Sequence, residues 1–119
     1  MSHAWHDLAD QALGPDDTVE KTYVCNFDKQ HGYLCLGRKK MVFVNVKGFL
    51  KKTYNLLLDA SYDEITEVGL QSRFRINLIH KDKTHVIETS DVSAKIVVEA
   101  IKELVNSSPI KTAVAFPGL

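Results

Sequence analysis

Residues 31–44 read HGYLCLGRKKMVFV, in which two apolar runs flank the basic triplet Arg38-Lys39-Lys40. Short apolar runs rich in β-branched and aromatic residues are typical of strands, and a compact polar connection between them indicates a hairpin. The triplet is therefore predicted to be a solvated turn between two antiparallel strands, where its charges oppose aggregation.

Strand-like segments continue on both sides of this hairpin. Upstream, residues 21–27 (KTYVCNF) are rich in β-branched and aromatic side chains, and the cluster DKQHG after them indicates a turn. Downstream, segments of strand length recur between polar or glycine-containing connections at residues 41–46, 53–59, 63–70, 74–80 and 84–89. The sequence therefore predicts a mainly β (α+β) protein with seven antiparallel strands. A bent sandwich or partly open barrel would protect the edges of such a sheet.

A helix is predicted at each end of the strand series. The first spans residues 4–13 and stops before Gly14-Pro15, and its apolar residues at helical spacing are Trp5, Leu8, Ala9 and Ala12. Ser90 or Asp91 can cap a second helix that runs to about residue 106. Its apolar stripe, which would cap the sheet, consists of Ala94, Val97, Val98, Ile101, Leu104 and Val105.

These elements divide the chain into three parts. Residues 1–19 are an N-terminal helix and turn, residues 20–107 are the main domain, and residues 108–119 are an apolar tail. The tail is expected either to pack on the domain or to serve as a docking peptide.

Charge is balanced overall but unevenly distributed. The 119 residues contain 15 basic and 15 acidic side chains, so the whole chain has no strong field that would attract nucleic acid or a membrane. The stretch from position 29 to position 58 contains no acid, and its basic residues are Lys29, Arg38, Lys39, Lys40, Lys47, Lys51 and Lys52. This local excess is the first indication of a surface that binds an anion.

The sequence contains no recognisable catalytic or metal-binding motif. It lacks a nucleophile elbow, a phosphate-binding glycine-rich loop and the spacing of metal ligands. His3 and His6, with Asp7 and Asp10, lie on one predicted helix, but they fit a solvated face better than a metal site. We therefore expect a non-catalytic protein that uses no metal and no cofactor.

The two cysteines, Cys25 and Cys35, are too few for the disulfide framework of a small secreted domain. A turn at residues 29–31 would place Cys25 opposite Cys35 and Phe27 opposite Tyr33. That geometry permits a disulfide, but reduced and packed thiols are the better expectation in a cytoplasmic protein. No apolar run approaches the ~18 residues needed to span a membrane. We expect a cytoplasmic location, with peripheral attachment to a membrane as the alternative.

The opening hairpin also carries a resemblance to a known family. It is similar to the pattern "Gly-x-Leu-x-Leu-Thr-x-x-Arg-Leu-x-Phe" of the GRAM and bacterial PH-like subfamilies, within the pleckstrin-homology-like superfamily. The matching positions are Gly32, Leu34, Leu36, Lys40, Met41 and Phe43. Ile65 and Val68 resemble a later "Ile-x-x-Val" step, and residues 91–105 resemble the closing helix. The resemblance covers about residues 20–107. Gly37 departs from the usual Thr, and the helix lacks the Trp of true PH domains.

The resemblance implies a PH-like fold with a ligand end. In that superfamily the loops between strands one and two, three and four, and six and seven surround the ligand. Here the residues of those loops that could hold an anion are Lys29, His31, Lys47, Lys51, Lys52, Lys81 and Lys83. Clustered cations are what a phosphoinositide head group or an anionic membrane surface requires.

Contact with another protein, or with a second copy of the chain, is the competing function. Residues 41–46 are apolar on both faces, and Val42, Val44 and Val46 would form an outward docking surface. The neutral composition and the absence of arginine-rich loops favour this interaction module over lipid binding. The anionic lipid surface remains the alternative partner, and nucleic acid is not expected.

Overall fold

The computed structural model describes residues 4–107, including the side chains of residues 4–105. In chain order the elements are α1 (Ala4–Leu13), β1 (Lys21–Phe27), β2 (Gln30–Leu36), β3 (Lys40–Lys47), β4 (Thr53–Ser61), a 3-10 turn (Tyr62–Glu64), β5 (Ile65–Ser72), β6 (Arg75–His80), β7 (Lys83–Thr89) and α2 (Ala94–Ser107). The predicted mainly β architecture, with seven antiparallel strands and a helix at each end, is confirmed. The predicted apolar tail, residues 108–119, lies outside the described residues.

The strands form one sheet in the order β4-β3-β2-β1-β7-β6-β5. β4 and β5 follow each other in the chain but lie at opposite edges of this sheet. The sheet therefore bends back on itself, and one hydrophobic core takes side chains from both halves. Leu34 and Phe43 come from the first half of the sheet, and Ile76 and Ile87 come from the second.

α2 packs against β5, β6 and the 3-10 turn, and it buries its apolar stripe in this core. Ala94, Val97 and Ile101 are fully buried, and Leu104 packs against the core at its margin. The helix begins at Ala94 rather than at position 91 because the Ala94 N–H donates to the Arg73 carbonyl at 2.7 Å. This bond ties the start of the helix to the β5–β6 turn.

α1 covers the outer face of the sheet over β3 and β4 and completes a second apolar cluster. Ala9 and Leu13 of the helix pack with Val42 and Val44 of β3, and these side chains are almost entirely buried. Trp5 stacks on Tyr33 with ring centroids 4.1 Å apart. The sheet is therefore apolar on both faces where these strands pass between the two clusters.

The segment after α1 is bound to the β2–β3 turn through Asp17. Its carboxylate accepts the backbone N–H groups of Arg38 at 2.8 Å and Lys39 at 3.0 Å, and it is nearly buried. Gly37 leaves room for this carboxylate, since a Cβ at that position would lie 2.7 Å from an Asp17 oxygen. On the inner side, the buried hydroxyl of Tyr62 donates to the Gly37 carbonyl at 2.7 Å.

The β1–β2 register differs from the sequence prediction. The turn is the residue pair Asp28-Lys29, and Cys25 lies opposite Gly32. Both turn residues have positive φ (48° and 70°), which suits a two-residue hairpin whose twist matches that of its strands. The predicted pairing of Cys25 with Cys35 is therefore wrong. The thiols are free and lie in different clusters, Cys25 in the inner core and Cys35 under α1.

Candidate functional site

The β3–β4 loop presents two apolar side chains to solvent. Phe49 is 91% exposed and Leu50 is 92% exposed. Among the described residues, the other exposed large hydrophobic side chains reach at most 51% exposure. Single exposed apolar residues are ordinary on protein surfaces, but two adjacent ones with almost no protein contact are a candidate interaction site.

The backbone of this loop is shaped by Gly48. Its φ is +103°, and a Cβ there would collide with the carbonyl oxygen of Lys51. Only glycine adopts this conformation without strain. Strand pairing continues up to the Lys47–Thr53 pair, so the loop is short and stands on a hydrogen-bonded base.

A buried amide on β3 links that base to the neighbouring strand, β2. The side chain of Asn45 donates from Nδ2 to the carbonyl of His31 at 2.8 Å. Gly32 faces Asn45 across the strand pair, and a Cβ on it would collide with the carbonyl of Val44. The glycine that the sequence resemblance singled out is therefore needed for the close approach of β2 and β3.

Three lysines flank the apolar pair. Lys47, Lys51 and Lys52 are exposed, and none of them has an acidic partner among the described residues. No acid occurs in the sequence between Lys29 and Leu58. We call residues 47–52 (KGFLKK) the basic apolar loop.

Lys29 and His31, two further residues of the predicted anion site, lie at the same end of the sheet. The pairing of Gly32 with Asn45 brings the start of β2 level with the end of β3, so the β1–β2 turn borders the basic apolar loop. Lys29 also lines a cavity of about 380 Å³ with Asp28, Arg75 and Glu88. His31 is exposed, and its ring Nδ1 lies 3.3 Å from Asn26 Oδ1.

Lys81 and Lys83, the remaining predicted residues, border a different cleft. With His80, His85 and Asp59 they line a cavity of about 220 Å³ beside β4. Lys81 Nζ lies 3.2 Å from Glu64 Oε2, and His80 Nε2 lies 3.3 Å from Glu64 Oε1. Hydrogen bonds from Lys81 and His80 hold the pKa of Glu64 below its ordinary value. Six of the seven predicted residues are therefore divided between the loop and two clefts, and the seventh, His31, is exposed on β2.

Val42, Val44 and Val46 do not form an exposed surface. Val42 and Val44 are fully buried beneath α1, and Val46 is half-buried. The apolar outer face of β3 was read correctly from the sequence, but the predicted amphipathic helix was not matched to it. The helix itself is the partner of that face.

The sequence reading named the lysines of the basic apolar loop but not Phe49 and Leu50. The signal was present, because the pair lies in a glycine-containing connection outside the alternation of both flanking strands. What the sequence could not supply was the exposure, since the same two residue types are among the most common in protein cores.

Two features of the described residues bear on metal binding and thiol reactivity. Within residues 4–107 no group of three His, Cys, Asp or Glu side chains is arranged to hold a metal ion. Burial raises the pKa of Cys25 to about 12 and that of Cys35 to about 11. Neither thiol is ionised near neutral pH, and the thiolate is the nucleophilic form.

Neither helix in the described part of the chain is long and apolar enough to cross a membrane. The longer one, α2, has 14 residues.

Comparison with known proteins gives information about the fold alone. No protein-family model matches the chain, and no curated protein matches it. Among solved structures, the chain is similar to the C-terminal domain of an unknown protein from Leishmania infantum, with a TM-score of 0.54 and 14% sequence identity. The match covers 76% of this chain and 86% of that one. At this identity the likeness concerns the path of the backbone and carries no information about ligands.

Proposed function

We propose that the chain is a non-catalytic docking module that binds the surface of an anionic membrane through the basic apolar loop. The observation that carries this proposal is the almost complete exposure of Phe49 and Leu50 between three unpaired lysines. A bilayer has a polar surface over an apolar interior, and the loop matches both layers. The side chains of Phe49 and Leu50 would enter the apolar interior, and the lysine ammonium groups would lie among the lipid phosphates.

The expected energies fit reversible attachment. Burying a Phe or a Leu side chain contributes about 1.5–3 kcal/mol each. A lysine near an anionic leaflet contributes about 1 kcal/mol. Two apolar side chains and three cations therefore provide enough to hold the protein at a membrane, but far less than a spanning helix provides.

The sequence favoured contact with another protein, and this is the second candidate function. Two of the three residues predicted for that contact, Val42 and Val44, are not accessible to a partner because they pack against α1. The observation that still favours it is the pair of sheet edges, β4 and β5, of which β5 carries Leu70 at 51% exposure. Unpaired edges are templates for strand addition. We rank this candidate second because those edge side chains are much less exposed than the loop pair.

Co-sedimentation with lipid vesicles tests the membrane proposal. The parent chain should pellet with vesicles of phosphatidylcholine and phosphatidylserine at low salt, and stay in solution with phosphatidylcholine alone. A triple variant, Lys47→Gln/Lys51→Gln/Lys52→Gln, should bind about 100-fold more weakly if each lysine contributes about 1 kcal/mol. A parent chain that fails to pellet with the anionic vesicles at low salt would reject the proposal.

A matched control removes the same charge elsewhere. Arg38 and Lys39 lie in the β2–β3 turn, and Lys102 lies on the outer face of α2; all three side chains are exposed. Their triple Gln variant has the same net charge as the loop variant but an intact loop. It should retain most of the binding, and an equal loss in both variants would show that only net charge matters.

The buried cysteines allow a direct test of insertion. Cys25 and Cys35 are buried with raised pKa values, so a Phe49→Cys variant is expected to react with a thiol dye at the new position alone. A polarity-sensitive dye at this position should shift its emission to the blue on binding vesicles. The same dye at Lys102→Cys should not shift.

A further inference from the structure

Resting on the proposed function, we infer that the basic apolar loop recognises the charge of a bilayer of singly charged anionic phospholipids and not the phosphate pattern of one head group. The recognised ligand is then the lipid surface itself, as phosphatidylserine or phosphatidylglycerol would form it. Three features of the described residues carry this inference: the shape of the loop, and the charges in each of the two clefts that contain other predicted cations.

The first feature is that the loop is convex. Recognition of a multiply phosphorylated head group requires several cations that converge in a concave site. In the basic apolar loop the lysines lie on both sides of a protruding apolar pair, and Lys51 and Lys52 are adjacent in the chain. Each lysine is free to meet a different lipid, so the number of anionic lipids matters more than the number of phosphates on one of them.

The second feature is the charge balance of the larger cleft. Its cations, Lys29 and Arg75, share the walls with Asp28 and Glu88. Arg75 Nη2 lies 2.9 Å from Glu88 Oε2, so this guanidinium is already paired. Asp28 accepts the backbone N–H of Val86 at 2.8 Å, which holds its carboxylate at this position. A phosphate-rich group entering here would meet two carboxylates.

The third feature is the same balance in the smaller cleft. Lys81 is paired with Glu64, and Asp59 lines the same cleft as Lys83. Asp59 also accepts a hydrogen bond from Lys40 at 2.9 Å. Two acids of the chain itself, Glu64 and Asp59, therefore lie next to the cations of this cleft, whereas residues 47–52 contain no acid.

Two vesicle compositions that carry the same total negative charge test the inference. One contains phosphatidylserine and the other contains phosphatidylinositol 4,5-bisphosphate, each in phosphatidylcholine. The affinities of the full chain should differ by less than about fivefold, the factor that a single cation contact of about 1 kcal/mol provides. Soluble inositol 1,4,5-trisphosphate, the free head group, should not displace the chain from either vesicle.

The cleft variants separate the remaining outcomes. Lys29→Gln/Arg75→Gln and Lys81→Gln/Lys83→Gln should each weaken binding less than Lys51→Gln/Lys52→Gln, which removes the same charge. Tight binding to the bisphosphate vesicles alone, with competition by the free head group and loss in a cleft variant, would overturn the inference and leave membrane docking intact. Absence of binding to both vesicle types would overturn the proposed function, and the inference with it.

Discussion

The β2–β3 turn and the basic apolar loop lie at the two ends of β3, and both are rich in cations. In the turn, the backbone N–H groups of Arg38 and Lys39 are bonded to the Asp17 carboxylate, and the Gly37 carbonyl accepts the Tyr62 hydroxyl. In the loop, the lysines and the apolar pair have no such internal partners among the described residues. Basic sequence alone did not distinguish these regions. The distinction is whether side chains from other elements bond to the backbone of the segment, as Asp17 and Tyr62 do in the turn, and it can be tested from both sides.

The largest expected effect comes from removing the apolar pair. Phe49→Ser/Leu50→Ser should weaken binding to anionic vesicles by at least about 100-fold, because each lost side chain contributes about 1.5–3 kcal/mol. Its free energy of unfolding should stay within about 0.5 kcal/mol of the parent, since surface changes of this kind have little effect on stability. Vesicle flotation and urea denaturation measure the two quantities.

Leu70→Ser/Ile96→Ser is the matched control for that pair. Both side chains are 51% exposed and lie far along the chain from the loop, on β5 and α2. This variant should bind vesicles like the parent. If it loses binding and the loop variant does not, the β5 side of the molecule is the docking surface and the comparison between the two basic regions fails.

The next largest effect is expected at the opposite end of β3. Asp17→Ala should lower the free energy of unfolding by about 2–4 kcal/mol, because it removes part-buried hydrogen bonds from backbone N–H groups of the turn to a charged acceptor. Asp16→Ala, an exposed neighbour, should change it by less than about 0.5 kcal/mol. Folded Asp17→Ala protein should still bind vesicles, since the basic apolar loop is intact. Equal stabilities of the two alanine variants would contradict the role given to Asp17.

The two regions also show how far the sequence predicts this fold. The strands and helices followed from apolar periodicity, because each element buries one stripe or one face that the residue pattern displays. The β1–β2 register could not be predicted from this periodicity. At the left-handed turn Asp28-Lys29, the Asp28 carboxylate accepts the Val86 N–H and is hydrogen-bonded to His85, and both partners are more than fifty residues away in the chain.

The sequence predicted the lysines of the candidate site but not its two apolar residues, Phe49 and Leu50. Lys47, Lys51 and Lys52 were named because a run without acids is visible in the sequence. Whether an apolar residue is buried depends on which other element reaches it. Val42 was expected to be exposed and is covered by α1, whereas Phe49 has no such cover. Exposure is a property of tertiary packing, and the local pattern does not contain it.

A smaller effect is expected on the inner side of the turn. Tyr62→Phe removes only the hydroxyl that donates to the Gly37 carbonyl, and the ring keeps its place in the core. The free energy of unfolding should fall by about 1–2 kcal/mol, the cost of one buried hydrogen bond whose acceptor is left unpaired. Urea denaturation of Tyr62→Phe and of Tyr54→Phe, whose hydroxyl has no partner among the described residues, compares the two positions. A loss at Tyr54 as large as at Tyr62 would contradict the assignment.

The smallest effect concerns a third basic turn, between β6 and β7. In this turn Lys81 is paired with Glu64. Because hydrogen bonds from Lys81 and His80 lower the pKa of Glu64 in the folded chain, this carboxylate stabilises the fold above the ordinary Glu pKa. The contribution is lost as the pH falls through the lowered folded-state pKa. Glu64→Gln should therefore be less stable than the parent at neutral pH, and the difference should vanish at acid pH. Denaturation across pH, with Glu67→Gln of β5 as the exposed control, measures it. A difference between Glu64→Gln and the parent that grows on acidification has the wrong sign and would show that the ion pairs of Glu64 do not stabilise this turn.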